Sequence, residues 1–299
     1  MSSRYLILGA SGFIGTRLRA VLGQTRVVAT YNKHPFEGGL AFDAARDRLS
    51  ASILKRHAGL THALILHGVT NIDVCARDPS GTRRINVDSV RKVIDELVDH
   101  GIEPVFFSSD AVFDGTRGMW TEEDDARPIL TYGRHKLEIE NYLLARDVSH
   151  ITVRMSKVLT SFPGKGDMLD DWMTQLEGGN EIRCASDQIF SPVDVDDAIA
   201  AVLQLIESGR KGLFHVCCPN PVSRLGLLNM LMEEMGVFRR TDSKVLPCSI
   251  RDFRFAEARP LDTSMSPAKL YATLDRTFKD LRQVCRQAAE RRYVASATN

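Results

Sequence analysis

The chain has 299 residues, enough to bury a substantial core as one large α/β domain or as a domain with a smaller lobe. Its 39 Lys and Arg against 38 Asp and Glu give no general pull toward nucleic acid or an anionic membrane, so neither is expected as a partner. Six cysteines without a CxxC pair and eight histidines without ligand spacing specify no metal and fit reduced thiols. With no charged-then-apolar leader and no apolar run long enough to span a bilayer, a cytoplasmic protein is expected.

Residues 4–9 (RYLILG) are a short apolar run ending in glycine and predict a strand, and 13–23 follow as an amphipathic helix. RVVATY at 26–31 is a second strand. HALILHG at 62–68 and PVFFSS at 104–109 are two more, with a helix between them over about 87–100. Another helix begins near Tyr132 and leads into HITVRM at 150–155. Apolar strands that alternate with helices predict a parallel sheet covered on both faces. Right-handed crossovers then make it a doubly wound, Rossmann-like α/β fold.

After about residue 158 the rhythm breaks. A Gly/Pro-containing stretch (161–167) precedes a helix over 168–176, and DQIFSPVDVDDAIAAVLQLIE ends in a helix capped by Asp194 or Asp196. A strand (GLFHVCC), a helix over 224–235 and a last helix near 274–291 complete the pattern. The expected organisation is a dinucleotide-binding domain over 1–158, to which 190–214 returns. An interleaved substrate-binding lobe is expected from 159–189 and 215–292, with a tail over 293–299.

GASGFIG at Gly9–Gly15 lies where an apolar strand turns into a helix. Gly9 permits the tight turn, Gly12 lets backbone approach phosphate, and Gly15 lets helix and strand pack closely. Ser11, Phe13 and Ile14 complete a loop whose helix N-terminus offers N–H groups to a pyrophosphate. At the end of the second strand, Tyr31-Asn32-Lys33-His34 has no carboxylate for ribose hydroxyls and carries a positive charge. NADP(H) is therefore expected ahead of NAD(H), with Lys33 and Arg17 as partners of the 2′-phosphate and Asn32 among the cofactor-binding residues; an ordinary solvated charge is the alternative for Lys33. Asp43 is either a partner for the adenine edge or a helix N-cap.

Tyr132 and Lys136 stand at i and i+4, on one face of a helix. An ammonium near a phenol favours the phenolate, which brings the proton into catalytic range. SSDAVFDG at Ser108–Gly115 follows a sheet strand directly, so its hydroxyls emerge at the carboxyl edge of the sheet, where ligands bind in such folds.

Together these blocks resemble the extended short-chain dehydrogenase/reductases, specifically the dTDP-4-dehydrorhamnose reductase branch. The resemblance covers nearly the whole chain: GASGFIG, NIDVCARDP with INVDSV, SSDAVFDG, EEDDARPILTYGRHKLEIE, DQIFSPVDVDDAI, GLFHVCCPNPVSR and ARPLDTSM. It implies that Ser109, Tyr132 and Lys136 are catalytic. NADPH would reduce the keto group, at C4, of a nucleotide-linked deoxysugar while Tyr132 donates the proton. Ser109 would bond the same oxygen, and Lys136 would lower the Tyr pKa and hold the nicotinamide ribose. It further implies Gly68 and Val69 beside the cofactor, and Thr70, Asp110, Ala111, Lys157 and Arg259 toward the substrate, with Arg259 near its nucleotide or phosphates. The expected setting is deoxysugar or surface-polysaccharide biosynthesis, and a homodimer stays open.

Two departures concern the sugar pocket. Ala111 and Lys157 replace aromatic residues of the family, which implies a pocket of different shape and charge unless a neighbour such as Trp120 fills the gap. Two other readings stand beside the reductase. One is an NAD(P)-dependent nucleotide-sugar epimerase on the same scaffold; the other is a non-catalytic NADP-binding subunit like the regulatory β subunit of methionine adenosyltransferase. Dehydration is disfavoured, because Ala111 supplies no second carboxylate beside Asp110. Cys217 and Cys218 read as small apolar residues near a strand end, Glu122–Asp125 as a solvated loop, and Arg282, Arg286, Arg291 and Arg292 as a solvated or subunit-facing helix face.

Overall fold

In the computed structural model, which describes residues 3–160, 167–238 and 242–294, each apolar run assigned to the central sheet is a strand. Most of the Gly/Pro-containing stretch (161–166) and the tail residues 295–299 lie outside the described residues. In chain order the first half contains β1 (Tyr5–Leu8), α1 (Phe13–Leu22), β2 (Val27–Tyr31), β3 (Leu40–Ala41), β4 (His62–Ile65), α2 (Ile72–Arg77), α3 (Pro79–Arg83), α4 (Ser89–Asp99), β5 (Glu103–Ser109), α5 (Thr131–Ala145) and β6 (Ile151–Met155). The second contains β7 (Val158–Leu159), α6 (Met168–Glu177), β8 (Ile182–Ala185), β9 (Ile189–Phe190), β10 (Val193–Asp194), α7 (Val195–Glu207), β11 (Gly212–Val216), β12 (Val222–Ser223), α8 (Arg224–Met235), β13 (Val245–Cys248), α9 (Ala268–Leu274) and α10 (Leu281–Val294).

The chain divides into two compact units. Unit 1 comprises Met1–Val112, Ala126–Arg154 and Val202–Phe214, and unit 2 comprises Phe113–Asp125, Met155–Ala201 and His215–Asn299. The segment that returns to unit 1 is thus shorter than the expected 190–214, and Phe113–Asp125 belongs to the other unit. Unit 1 carries a seven-stranded sheet in the order β11-β6-β5-β4-β1-β2-β3. β1 pairs in parallel with β2 and β4, β2 with β3, and β4 with β5.

β1 is fully buried along its length, which is why it reads as an unbroken apolar run rather than an alternating one. Leu6, Leu8, Ile65 and Phe106 of the sheet pack with Ile94 of α4 and Ile139 of α5 in one core. The strand order reverses between β1 and β4, and the register Leu8↔Ile65 brings the ends of both strands level there. That is the crevice where an open α/β sheet takes a ligand.

In unit 2, Leu169 and Trp172 of α6, Leu228 and Leu231 of α8, and Val284 of α10 share a second core. Arg282 and Arg286 pair with Glu234 of α8, and Arg292 with Asp170 and Glu177 of α6, so much of the basic face holds its own unit together rather than facing solvent alone. The acidic loop is also partly structural: Glu122 accepts the His215 N–H at 2.7 Å, and Asp124 accepts the Thr121 N–H at 2.7 Å. Cys217 and Cys218 are buried, and burial pushes the Cys218 thiol up to about 12, as befits packing residues.

Two boundaries differ from expectation. The predicted last helix is two: α9 stops at Asp275, whose φ of 47° is left-handed, and α10 starts afresh at Leu281. The predicted 87–100 helix begins at Ser89 after a wide π-type turn over Arg84–Asp88. Of the two capping candidates for α7, Asp194 accepts the N–H groups of Asp196 and Asp197. The short elements β3, α2 and α3 carry too few residues for a period to be legible.

Candidate active site

The glycine loop closes β1 onto α1. Gly9 has φ +87°, and a Cβ there would stand 2.9 Å from the His67 backbone nitrogen, so only glycine lets this turn run against the end of β4. A Cβ on Gly15 would meet the Gly9 carbonyl oxygen at 2.6 Å and Ala10 Cα at 2.7 Å, which sets the closeness of α1 to the loop. Gly12 is the N-cap of α1 and supplies no side-chain cap, leaving the first N–H groups of the helix toward the loop.

Asn32, Lys33 and His34 are exposed beyond the end of β2. Asp43 is half-buried; its Oδ1 accepts the Ala45 N–H at 3.0 Å and Arg46 lies 3.7 Å from Oδ2, so it caps a turn rather than a regular helix. Arg19 lies 3.6 Å over the Phe36 ring and donates to the Ala10 carbonyl at 3.1 Å, bracing the same corner. Nothing in the local pattern of α1 sets Arg19 apart from Arg17.

After β4, His67 is pushed down to about 4 by burial and by the Lys136 charge, and its Nδ1 is buried without a hydrogen-bond partner. Val69 is clamped from both sides: Asn86 Oδ1 accepts its N–H at 2.7 Å, and Asn86 Nδ2 donates to its carbonyl at 2.9 Å. A Cβ on Gly68 would meet Asn86 Oδ1 at 3.0 Å. Asn86 is 5% exposed and sits in the π-type turn, which aims its amide at the loop. Sequence reasoning missed it, and the only local signal is a polar residue within INVDSV.

Ser109, at the carboxyl end of β5, donates to Asp110 Oδ1 at 3.0 Å and accepts the Ala111 N–H at 3.2 Å. Tyr132 stands in the first turn of α5. Burial pushes its phenol well above the ordinary value, the Asp110 carboxylate and Cys75 push the same way, and a hydrogen bond with Ser109 opposes them. This is opposite to the lowering expected from the Tyr–Lys spacing. The Lys136 ammonium lies 5.6 Å from the Tyr132 ring centroid and donates instead to the Phe107 carbonyl at 2.6 Å. Burial brings Lys136 itself down to about 8, with Glu140 and Cys75 opposing. Gly133, also unanticipated, fits α5 against the 110–112 turn: a Cβ there would lie 1.9 Å from the Ala111 carbonyl oxygen.

Residues 3–293 match the family described as RmlD substrate binding domain. The chain belongs to this family. Among its relatives, the dTDP-4-dehydrorhamnose reductase of Sinorhizobium fredii is 25% identical over 284 residues, covering 92% of this chain and 91% of that protein. The methionine adenosyltransferase 2 subunit beta of Rattus norvegicus is 26% identical over 247 residues, covering 72% of this chain and 66% of that protein. The crystal structure of dTDP-4-dehydrorhamnose reductase from Bacillus anthracis in complex with NADP superposes with a TM-score of 0.84 at 21% identity, covering 99% of this chain and 100% of that one.

In this member of the RmlD family, Ser109, Asp110, Ala111, Tyr132 and Lys136 come together in unit 1, and exposed Thr70 follows the clamped Val69. Lys157 and Arg259 belong to unit 2. Lys157 is exposed, and its carbonyl accepts the Val193 N–H at 3.0 Å. The Arg259 guanidinium lies 4.3 Å over the Phe255 ring. Trp120 is buried in a stack with Phe113, 4.6 Å between centroids, and its Nε1 donates to the Asp262 carbonyl at 3.2 Å. Its ring is therefore committed to the core of its own unit. Among the described residues, no group of three or more His, Cys, Asp or Glu side chains could hold a metal ion, and no helix is long and apolar enough to cross a membrane.

Proposed function

We propose that this chain reduces the keto group, at C4, of a nucleotide-linked deoxysugar with NADPH, with Ser109, Tyr132 and Lys136 as its catalytic residues. The observation that carries the reading is the convergence of these three residues at the carboxyl edge of the sheet in a chain that matches the RmlD family from residue 3 to 293. Relatives named as reductases of such sugars, and a solved relative that binds NADP, support the same chemistry.

The residues present fit a dinucleotide. The Gly9–Gly15 loop leaves no room for side chains at Gly9 and Gly15 and ends on an uncapped helix N-terminus, as a pyrophosphate requires. Asn32 and Lys33 would take the 2′-phosphate, Asp43 the adenine edge, Gly68 and Val69 the adjoining ribose side, and Tyr132 and Lys136 the nicotinamide ribose. The unpartnered His67 Nδ1 beside the loop offers a further polar contact. When bound, NADPH supplies the hydride to the keto carbon. Tyr132, held protonated by its surroundings, donates its proton to the oxygen that becomes the hydroxyl. Ser109 hydrogen-bonds that oxygen, and the Lys136 charge compensates the phenolate left behind.

A phenol is protonated before the step at its ordinary pKa already, so the raised value opposes proton donation, and the Lys136 ammonium, 5.6 Å from the Tyr132 ring centroid, is the charge that eases it. The relation to a methionine adenosyltransferase subunit keeps a second reading in view, a non-catalytic NADP-binding subunit. NADPH oxidation followed at 340 nm with dTDP-, UDP-, GDP- and CDP-linked 4-keto-6-deoxy sugars separates the two. The reductase turns over one nucleotide class and loses turnover by roughly 10²–10⁴-fold in Tyr132→Phe, with NADPH binding retained. Tight NADPH binding with no oxidation of any sugar refutes it.

A further inference from the structure

The face of α5 that carries Tyr132 and Lys136 continues one turn further to Glu140, and that carboxylate is 5% exposed. Its oxygens are fully engaged. Arg154 of β6 donates from Nη2 at 2.7 Å and from Nε at 3.1 and 3.2 Å, and the Ser108 hydroxyl of β5 donates to Oε1. Arg154 and Ser108 are buried as well, at 4% and 5% exposure.

A buried ion pair is a weak device for stability, since apolar residues of the same volume usually serve as well or better. Its neighbour suggests another purpose. Lys136 lies one helical turn before Glu140, with Nζ 4.8 Å from the Phe106 ring centroid and bonded to the Phe107 carbonyl. The titratable groups that act on Lys136 or feel its charge are Tyr132 and Glu140 on its own helix, Cys75 from α2, and His67 after β4. At neutral pH a phenol, a thiol and an imidazole with lowered pKa are uncharged, which leaves Glu140 as the anion of the set. The network also ties the catalytic strand to the catalytic helix, because Ser108 precedes Ser109 directly.

We propose that Glu140, fixed by Arg154 and Ser108, is the positioning residue of the site: its carboxylate keeps the half-buried Lys136 ammonium charged and held against the Phe107 carbonyl. The consequence for turnover rests on the reductase reading; the consequence for Lys136 does not. The amine can be titrated directly, from the pH dependence of reductive methylation at Lys136 read by mass spectrometry. The proteins are the wild-type chain, E140Q and the double variant E140Q/R154M. Because E140Q leaves Arg154 buried without its counter-charge, the double variant, which removes both charges, decides if E140Q fails to fold.

The expected result is a wild-type midpoint near 8 that falls by at least about one unit in the variants, a tenfold loss of proton affinity. A merely structural Glu140 would lower the melting temperature and leave that midpoint where it was. A folded variant whose midpoint stays within about 0.3 unit of wild type overturns the proposal. In the oxidation assay, the alkaline limb of kcat/KM moves in the acid direction by the same amount. Absence of wild-type turnover would count against the reductase reading and leave the Lys136 titration to judge Glu140.

Discussion

Gly133→Ala sets helix propensity against packing. In the interior of a helix this change normally stabilises by about 1 kcal/mol. Here the new Cβ would stand 1.9 Å from the Ala111 carbonyl oxygen and 2.9 Å from Pro128 Cβ, and the near neighbour is backbone that cannot rotate away. Relieving the first contact to 3.0 Å requires the start of α5 and the 110–112 turn to separate by about 1.1 Å. Overpacking of this kind costs about 1–3 kcal/mol, enough to cancel or reverse the propensity gain. The opening falls between Tyr132 and Ser109, and a displacement of about 1 Å in a catalytic constellation can cost roughly 10²-fold in rate. The variant should therefore melt below wild type, bind NADPH through the unaltered glycine loop, and lose about two orders of magnitude in kcat/KM in the oxidation assay. A variant that melts above wild type and keeps activity within about threefold would refute the reasoning, because helix propensity would then have outweighed the contact.

Gly15→Ala tests the other end of the site: a Cβ at 2.6 Å from the Gly9 carbonyl oxygen must open the loop, and NADPH affinity by fluorescence titration should fall at least about tenfold. An unchanged Kd would show that the loop yields without cost. Lys136 also predicts a pH signature in stability. Its folded pKa lies near 8, below the ordinary 10.5, so the unfolded chain binds more protons between those values and the lysine's contribution to stability rises with pH across that window. The stability advantage of Lys136→Met over wild type, from denaturant midpoints, should accordingly shrink from pH 7 to pH 10. Parallel pH dependences for the two proteins would contradict the burial of the charge.

The elements that position the site follow from local pattern. An apolar run, a glycine-rich turn and an amphipathic helix are short-range signals, and β1, the loop and α1 form where those signals lie; α8 matches its predicted limits of Arg224 and Met235. The four-residue spacing of Tyr132 and Lys136 likewise follows from the helical period alone. What the pattern could not carry is every relation between elements distant in sequence. Asn86 grips Val69 across 17 residues, Arg154 of β6 reaches Glu140 on α5, and Gly133 matters because of a carbonyl on a different turn. Protonation belongs to the same class. Spacing alone suggests that the lysine lowers the tyrosine's pKa, whereas packing desolvates both and turns the ammonium to the Phe107 carbonyl, so the phenol rises and the lysine falls. Periodicity is encoded residue by residue along the chain, but burial and hydrogen-bond partners exist only once the strands and helices have come together.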